Sequence, residues 1–443
     1  MKEFAKTHIN NTEEFMRVVR EAEAYVRRRL KNNQDGIYSD EVKGAARDNL
    51  YAGNAGILHM YTQLNLVEPS KIYEDIIKQM TRYLNIHLFD GVETAARDGE
   101  FVSGMAEAFY SGIGGIGLIL NEVYRLSRDE NAKAGALKVI EYYNKHAVKN
   151  DNGIYWSDNS VVFFDAGITL FLIDCMNTYG ELCDELTKLI TRSCDYILSN
   201  GIWHADGGLE TDHLKVAFKK GEPNFEFGTA GVGYLFAKAY EVTGRAEYLE
   251  AAKASGIYLK SIAVRQKKGY LIPYKPAVYG DLFYLGNCHG PVGTAKLFYE
   301  LYNITHEKDY LGEVKALCDG AMSLGAPFAQ SAGFWNTTCV CCGPAGYVPL
   351  FAGLYYETGD DRWKNLAHEV GEVLVGTEKV DLSEDGTAGF WQIAFDRTKP
   401  DELSTPAGYF TGAAGIAVSL LQVYCMEKGN IHTGALIDDP YNK

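Results

Sequence analysis

What this sequence lacks narrows its class before any motif is read. It has no stretch of about 18 uninterrupted apolar residues, so nothing in it reads as a membrane-spanning helix. The first residues, MKEFAKTHINNTEEF, have no apolar segment of the secretory kind. Positive charge is scarce: 43 Lys and Arg against 58 Asp and Glu give a formal net charge of −15, with no basic cluster. Such a surface repels phosphate backbones and argues against nucleic acid as a partner. Cysteine is not laid out as a disulfide framework. Nine is an odd count, and three of the nine fall within four residues. Reduced thiols fit best, and with them a cytoplasmic location is expected.

Apolar material, by contrast, is plentiful. The 443 residues are 47% hydrophobic and 12% aromatic, enough to build a large core. A ring of repeats can use that length as one domain, so a single domain over residues 1–443 is expected.

A repeat is visible. A Gly-x-x-Gly turn followed by an apolar stretch occurs at Gly53/Gly56, Gly112/Gly115, Gly228/Gly231, Gly290/Gly293, Gly343/Gly346 and Gly412/Gly415. A degenerate copy, FFDAGITLFLIDCM, keeps only Gly167. Between these seven copies lie seven more polar stretches whose apolar residues recur every three or four positions, as half-buried helices require. Most polar stretches are followed by Gly and a bulky apolar pair, as in GIY at 36 and 153 and GFW at 333 and 389, which read as short extended pieces.

The fold class expected is therefore all-α. Seven inner helices, apolar nearly all round, are covered by seven amphipathic outer ones in an α/α toroid, or barrel, with short extended segments between. The first outer helix has no inner partner before it and the last inner helix no outer partner after it, so the two complement each other. The glycines are expected to supply positive-φ turns and close backbone approach. Seven loops then meet on one face, where a site would form.

Two of the seven turns differ from the rest. The two residues before the first glycine are Tyr51-Ala52, Tyr110-Ser111, Val162-Phe163, Glu226-Phe227 and Phe410-Thr411 in five copies. In the fifth turn they are Cys288-His289 and in the sixth Cys341-Cys342. Equivalent slots on neighbouring repeats stand side by side, although 53 residues separate Cys288 from Cys341. Three converging thiols suit Zn²⁺, a borderline-soft ion that takes tetrahedral sulfur and nitrogen ligands. Three protein ligands leave a fourth position open for catalysis, whereas His289 as a fourth ligand would close it. A vicinal disulfide or plain buried thiols are the alternatives. Cys175, Cys183, Cys194, Cys318 and Cys425 read as packed thiols, and Cys339 as a rival ligand.

These features together resemble the lanthionine synthetase C-like cyclases, over nearly the whole chain and most specifically at Cys288-His289-Gly290 and Cys341-Cys342-Gly343. The resemblance implies a seven-plus-seven toroid with one zinc ion at its mouth, here in a three-cysteine form where Cys342 replaces the usual histidine. It implies Michael-type chemistry, in which a substrate cysteine, held as thiolate by zinc, adds to dehydroalanine or dehydrobutyrine and closes a thioether (lanthionine) ring. The substrate class is a dehydrated, Cys-containing precursor peptide, or else a small thiol, with a separate dehydratase as partner. The pattern also breaks. Phe227 stands where the family has its acid/base histidine, Ser160 where it has an aspartate, and Tyr284 where it has an arginine. Substitute acids are His289, beside a ligand, and then His204 in the long loop 201–227; His213 is weaker.

Two other functions stay open. A zinc-stabilised protein that only binds peptide or thiol would account for the unmatched acid/base residues. A glycan-active toroid enzyme would use Trp156, Trp203, Trp335 and Trp391 for stacking and Asp206, Glu210 or Asp396 for acid/base work.

Overall fold

The computed structural model describes residues 2–98, 104–383, 386–429 and 433–441. Among the described residues, seven apolar and seven amphipathic helices alternate as the repeat predicts. The apolar set is Asn54–Val67, Ile113–Ser127, Asp165–Met176, Thr229–Thr243, Pro291–Thr305, Tyr347–Thr358 and Ala413–Lys428. The amphipathic set is Glu13–Arg27, Lys71–Ile86, Glu130–His146, Cys183–Ser199, Ala246–Ser261, Lys308–Ser323 and Asp361–Thr377. Two short helices, Asp90–Asp98 and Pro276–Tyr279, are additions the repeat does not contain.

Burial separates the two sets as their sequences do. Every residue from Asn54 to Leu64 is buried, as is every residue from Thr229 to Ala239. Along Lys71–Ile86, only Tyr73, Ile76, Met80, Thr81, Tyr83 and Leu84 are buried, one stripe at helical spacing. The extended pieces are antiparallel hairpins, such as Leu30–Asn33 with Gly36–Ser39 and Val148–Asn150 with Gly153–Tyr155. GFW at 333 forms only an isolated bridge between Ser331 and Phe334.

The chain forms two compact units. One comprises Met1–Leu88, Leu285–Asn287 and Leu324–Lys443; the other comprises Phe89–Tyr284 and Cys288–Ser323. In the first unit, the last inner helix, Ala413–Lys428, packs on the first outer helix, Glu13–Arg27, and on the first inner helix, Asn54–Val67. The complementarity of the first outer and last inner helices is thus realised as packing. In the second unit, the second to fifth inner helices pack in chain order, each backed by its own outer helix.

The turn glycines need correcting. Gly53, Gly112, Gly228, Gly290, Gly343 and Gly412 all have negative φ, from −104° to −155°, so none adopts the positive-φ turn expected. Their role is close approach. A Cβ on Gly412 would sit 2.0 Å from the Pro406 carbonyl oxygen, and one on Gly53 would sit 2.4 Å from that of Arg47. In both cases the carbonyl belongs to the residue six positions earlier, whose chain folds back over the helix start. Positive φ appears instead in the hairpins, at Gly36 and Gly153.

One buried acid in the first unit gives a pH test of the fold. Glu378, where Asp361–Thr377 ends, has its carboxyl pushed up by burial and then by Glu21. Its Oε1 finds no hydrogen-bond partner among the described residues, and the Gly389 backbone closes over it. A raised carboxyl pKa favours the protonated form, so its stabilising contribution is complete below the ordinary value of 4.5 and is lost as pH rises through neutrality. Glu378→Gln should match the wild type in melting temperature near pH 4.5 and exceed it above neutrality. Equal melting temperatures at both ends would disprove the assignment.

Candidate metal centre and its histidine

The turns are strung together by main-chain hydrogen bonds that run from one repeat to the next. In the first unit, Phe410 N–H donates to Tyr51 O at 2.9 Å, Cys341 N–H to Phe410 O at 3.0 Å, and Asn287 N–H to Cys341 O at 2.8 Å. In the second unit, Glu226 N–H donates to Cys288 O at 3.1 Å, Phe163 N–H to Glu226 O at 2.9 Å, and Phe109 N–H to Phe163 O at 3.2 Å. These are the slots the repeat marks as equivalent, with two shifts: Phe163 occupies the position expected for Val162, the degenerate third turn being a residue shorter, and the second turn donates from Phe109, one residue before Tyr110. The fifth turn is irregular in another way. Its donor is Asn287 but its acceptor is Cys288.

The sixth-turn thiols meet within the first unit. Cys341 and Cys342 Sγ lie 3.3 Å apart, and neither is in a disulfide, so the vicinal disulfide is not formed. Gly286 admits their backbone: a Cβ there would sit 2.6 Å from Cys342 Cα. With Asn287 bonded to Cys341, the residue next in the chain is Cys288. Cys341 also accepts a hydrogen bond from Tyr51 Oη at 2.9 Å, a contact the sequence reading missed.

In the second unit, Glu226, Cys288 and His289 are buried with ligand atoms within 4.8 Å of one another. His289 sits in an aromatic box that the sequence did not foreshadow. Its ring stacks on Phe227 (5.6 Å, 20°) and meets the edges of Tyr274 and Tyr284 at 5.3 and 5.7 Å. Two of the three positions that depart from the family pattern, Phe227 and Tyr284, are therefore walls of this box. Its Nδ1 lies 2.8 Å from Glu222 Oε2, close enough for an ion pair but off the axis of a hydrogen bond. Glu222 is 1% exposed and accepts from Tyr274 Oη at 2.9 Å, with Lys275 Nζ at 3.5 Å and Lys219 Nζ at 3.7 Å. Burial works against its charge, but the adjoining His289, then Lys219 and the Tyr274 phenol, hold the carboxyl below the usual range. Burial lowers the His289 pKa and Lys219 and Lys275 act the same way, against the pull of Glu222; the neutral imidazole is favoured.

The other candidates fall elsewhere. His204 is 39% exposed in the hairpin of Ile202–Trp203 and Leu209–Glu210, where it faces Glu210 at 3.0 Å and stacks on Tyr258. His213 pairs with Asp158 at 2.7 Å, and its carbonyl accepts the Ser160 amide, pinning part of the 201–227 loop to the third turn. Cys339 is buried with its pKa pushed up by burial, a neutral thiol beside Thr337. Cys175, Cys194, Cys318 and Cys425 are buried as packed thiols, but Cys183 is exposed at a helix start, contrary to expectation. Trp156, Trp335 and Trp391 give their indole N–H groups to main-chain carbonyls, so they serve the framework, while Trp203 is 56% exposed.

Glu222, Glu226, Tyr274 and Tyr51 were legible only in hindsight. Glu222 lies six residues before Gly228, the spacing at which the chain folds back over every turn just described.

The profile of the lanthionine synthetase C-like family matches residues 44–437. The chain belongs to that family. A solved structure titled "Nisin cyclase" is similar at TM-score 0.56 and 14% identity, covering 93% of each chain, which shows a shared fold of the α/α-toroid class. Weaker likenesses are a D-mannose isomerase (TM-score 0.47, 13% identity, 94% and 99% covered) and a GH76 α-mannanase of Bacteroides thetaiotaomicron (0.48, 12%, 95% and 97%). A search of curated proteins finds no match. No helix among the described residues is long and apolar enough to cross a membrane.

Proposed function

We propose that this protein is a zinc-dependent cyclase that adds cysteine thiolates to dehydroalanine or dehydrobutyrine in a dehydrated peptide, forming thioether rings. Cys288, Cys341 and Cys342 would hold the ion. Their sulfurs form a soft donor set of the kind zinc takes and Mg²⁺ or Ca²⁺ refuse. The observation that supports this most is the 2.8 Å bond from Asn287 to Cys341, which ties the residue before one thiol to the turn that carries the other two. Family membership and the nisin cyclase likeness point to the same chemistry. The peptide comes to the enzyme already dehydrated by a separate dehydratase; a small thiol is the simpler co-substrate.

Zinc, when bound, would supply a charge that keeps a substrate thiol ionised near neutral pH. The chain's own residues do the rest. His289 Nδ1 faces Glu222, which leaves Nε2 as the atom that carries a proton to or from the peptide. The walls formed by Phe227, Tyr274 and Tyr284 orient the ring. His204, on its exposed hairpin, is the second donor considered. His289→Ala is expected to slow ring closure of a dehydrated, Cys-containing peptide by about 100-fold or more, and His204→Ala by less than about tenfold. Full activity in both variants would sink the acid/base assignment. A wild type that binds the peptide without closing a ring would instead favour a non-catalytic binding protein.

A further inference from the structure

Tyr51 reaches across one repeat to a thiol. Its phenol donates to Cys341 Sγ at 2.9 Å, although Tyr51 is in the first turn and Cys341 in the sixth. The seventh turn lies between them and clamps the phenol in place. The Tyr51 ring stacks on Phe410 at 5.4 Å and 12°, the Phe410 amide donates to Tyr51 O, and Phe410 O accepts the Cys341 amide. Ring face, main chain and sulfur thus form one closed circuit of contacts, all within the same unit.

A phenol has one O–H to give, and a thiolate only accepts. A hydrogen bond to an ionised acceptor is shorter and stronger than one between neutral groups. On a sulfur that ligates a metal, such a bond fixes the direction of the lone pairs and withdraws electron density from the sulfur. A set of three thiolates donates heavily to its ion. One hydrogen bond on one of them moderates that donation and leaves the ion better able to accept a further thiolate.

We infer that Tyr51 is a positioning residue for the metal: its hydrogen bond orients the Cys341 sulfur and tempers its donation. This rests on the zinc reading above and adds to it a specific residue outside the ligand set. The test uses the full-length protein loaded with Co²⁺, whose thiolate charge-transfer bands report sulfur donation, and Zn²⁺ competition against a chromophoric chelator. Tyr51→Phe keeps the ring and its stacking and removes only the O–H. It should move the charge-transfer bands to lower energy and weaken zinc binding by about tenfold or more, the usual cost of losing a partner of a metal ligand. Weakened binding with unmoved bands would mean that Tyr51 merely supports the turn, and would overturn the inference. So would unchanged affinity and bands together. In either case, loss of metal in Cys341→Ser would show that the zinc reading stands by itself. A wild type that binds neither ion would instead bring down that reading, and the inference with it.

Discussion

Cys341→Ser should purify with less than about a tenth of the zinc of the wild type, which should carry about one ion per chain. Serine keeps the size of the residue but not the thiolate. The two remaining sulfurs, Cys288 and Cys342, cannot satisfy an ion that takes four ligands. The Cys341 neighbours Cys342, already counted, and Tyr51, which has only a phenol, do not supply a replacement. Ring closure should fall with the metal, to the background reaction of peptide thiols in solution. Metal analysis of freshly purified protein, with cyclisation followed by mass spectrometry, measures both. If Cys341→Ser retains full zinc, the ligand assignment is wrong. If the wild type carries none, the metal reading as a whole is wrong. The buried Cys194→Ala is the control and should keep its zinc.

Gly228→Ala should cost about 3 kcal/mol or more in stability, a large penalty for one methyl group. The new Cβ would lie 1.7 Å from the Glu222 carbonyl oxygen and 2.7 Å from main-chain carbons of Glu222 and Pro223. No side chain can rotate away to relieve this, because the obstacle is backbone. The segment that must move carries Glu222, so its 2.8 Å contact with His289 goes with it. Gly312→Ala makes the contrast. Nothing lies within 4 Å of a Cβ there, and Gly312 is in the helix Lys308–Ser323. Alanine should stabilise that helix by about 0.5–1 kcal/mol. Denaturant unfolding of both variants decides the matter. Equal stabilities would show that the carbonyl over Gly228 is not a rigid part of the turn.

The sequence by itself determined a good deal. Periodicity separates helices buried all round from helices buried along one stripe, because a helix lines up residues three and four apart wherever it packs. That was enough for the seven inner and seven outer helices, for the complementary first and last ones, and for the equivalence of the turn slots. The proposed ligand set also rests on sequence, since three thiols stand at equivalent slots of neighbouring repeats.

Tertiary structure alone decided the rest. The glycines looked like positive-φ positions, but a close carbonyl rather than a dihedral angle excludes their Cβ atoms, and no local pattern reveals which chain folds back. Cys183 looked like a packed thiol and lies exposed, because its helix begins at the surface. Phe227 and Tyr284 read as losses of function and became walls around His289. Glu222 and Tyr51 had no motif to mark them. Each acts on a residue 67 or 290 positions away, brought near by hydrogen bonds between repeats. Partners so far apart in sequence are chosen by how repeats stack, and that depends on main-chain contacts which residue types do not encode one by one.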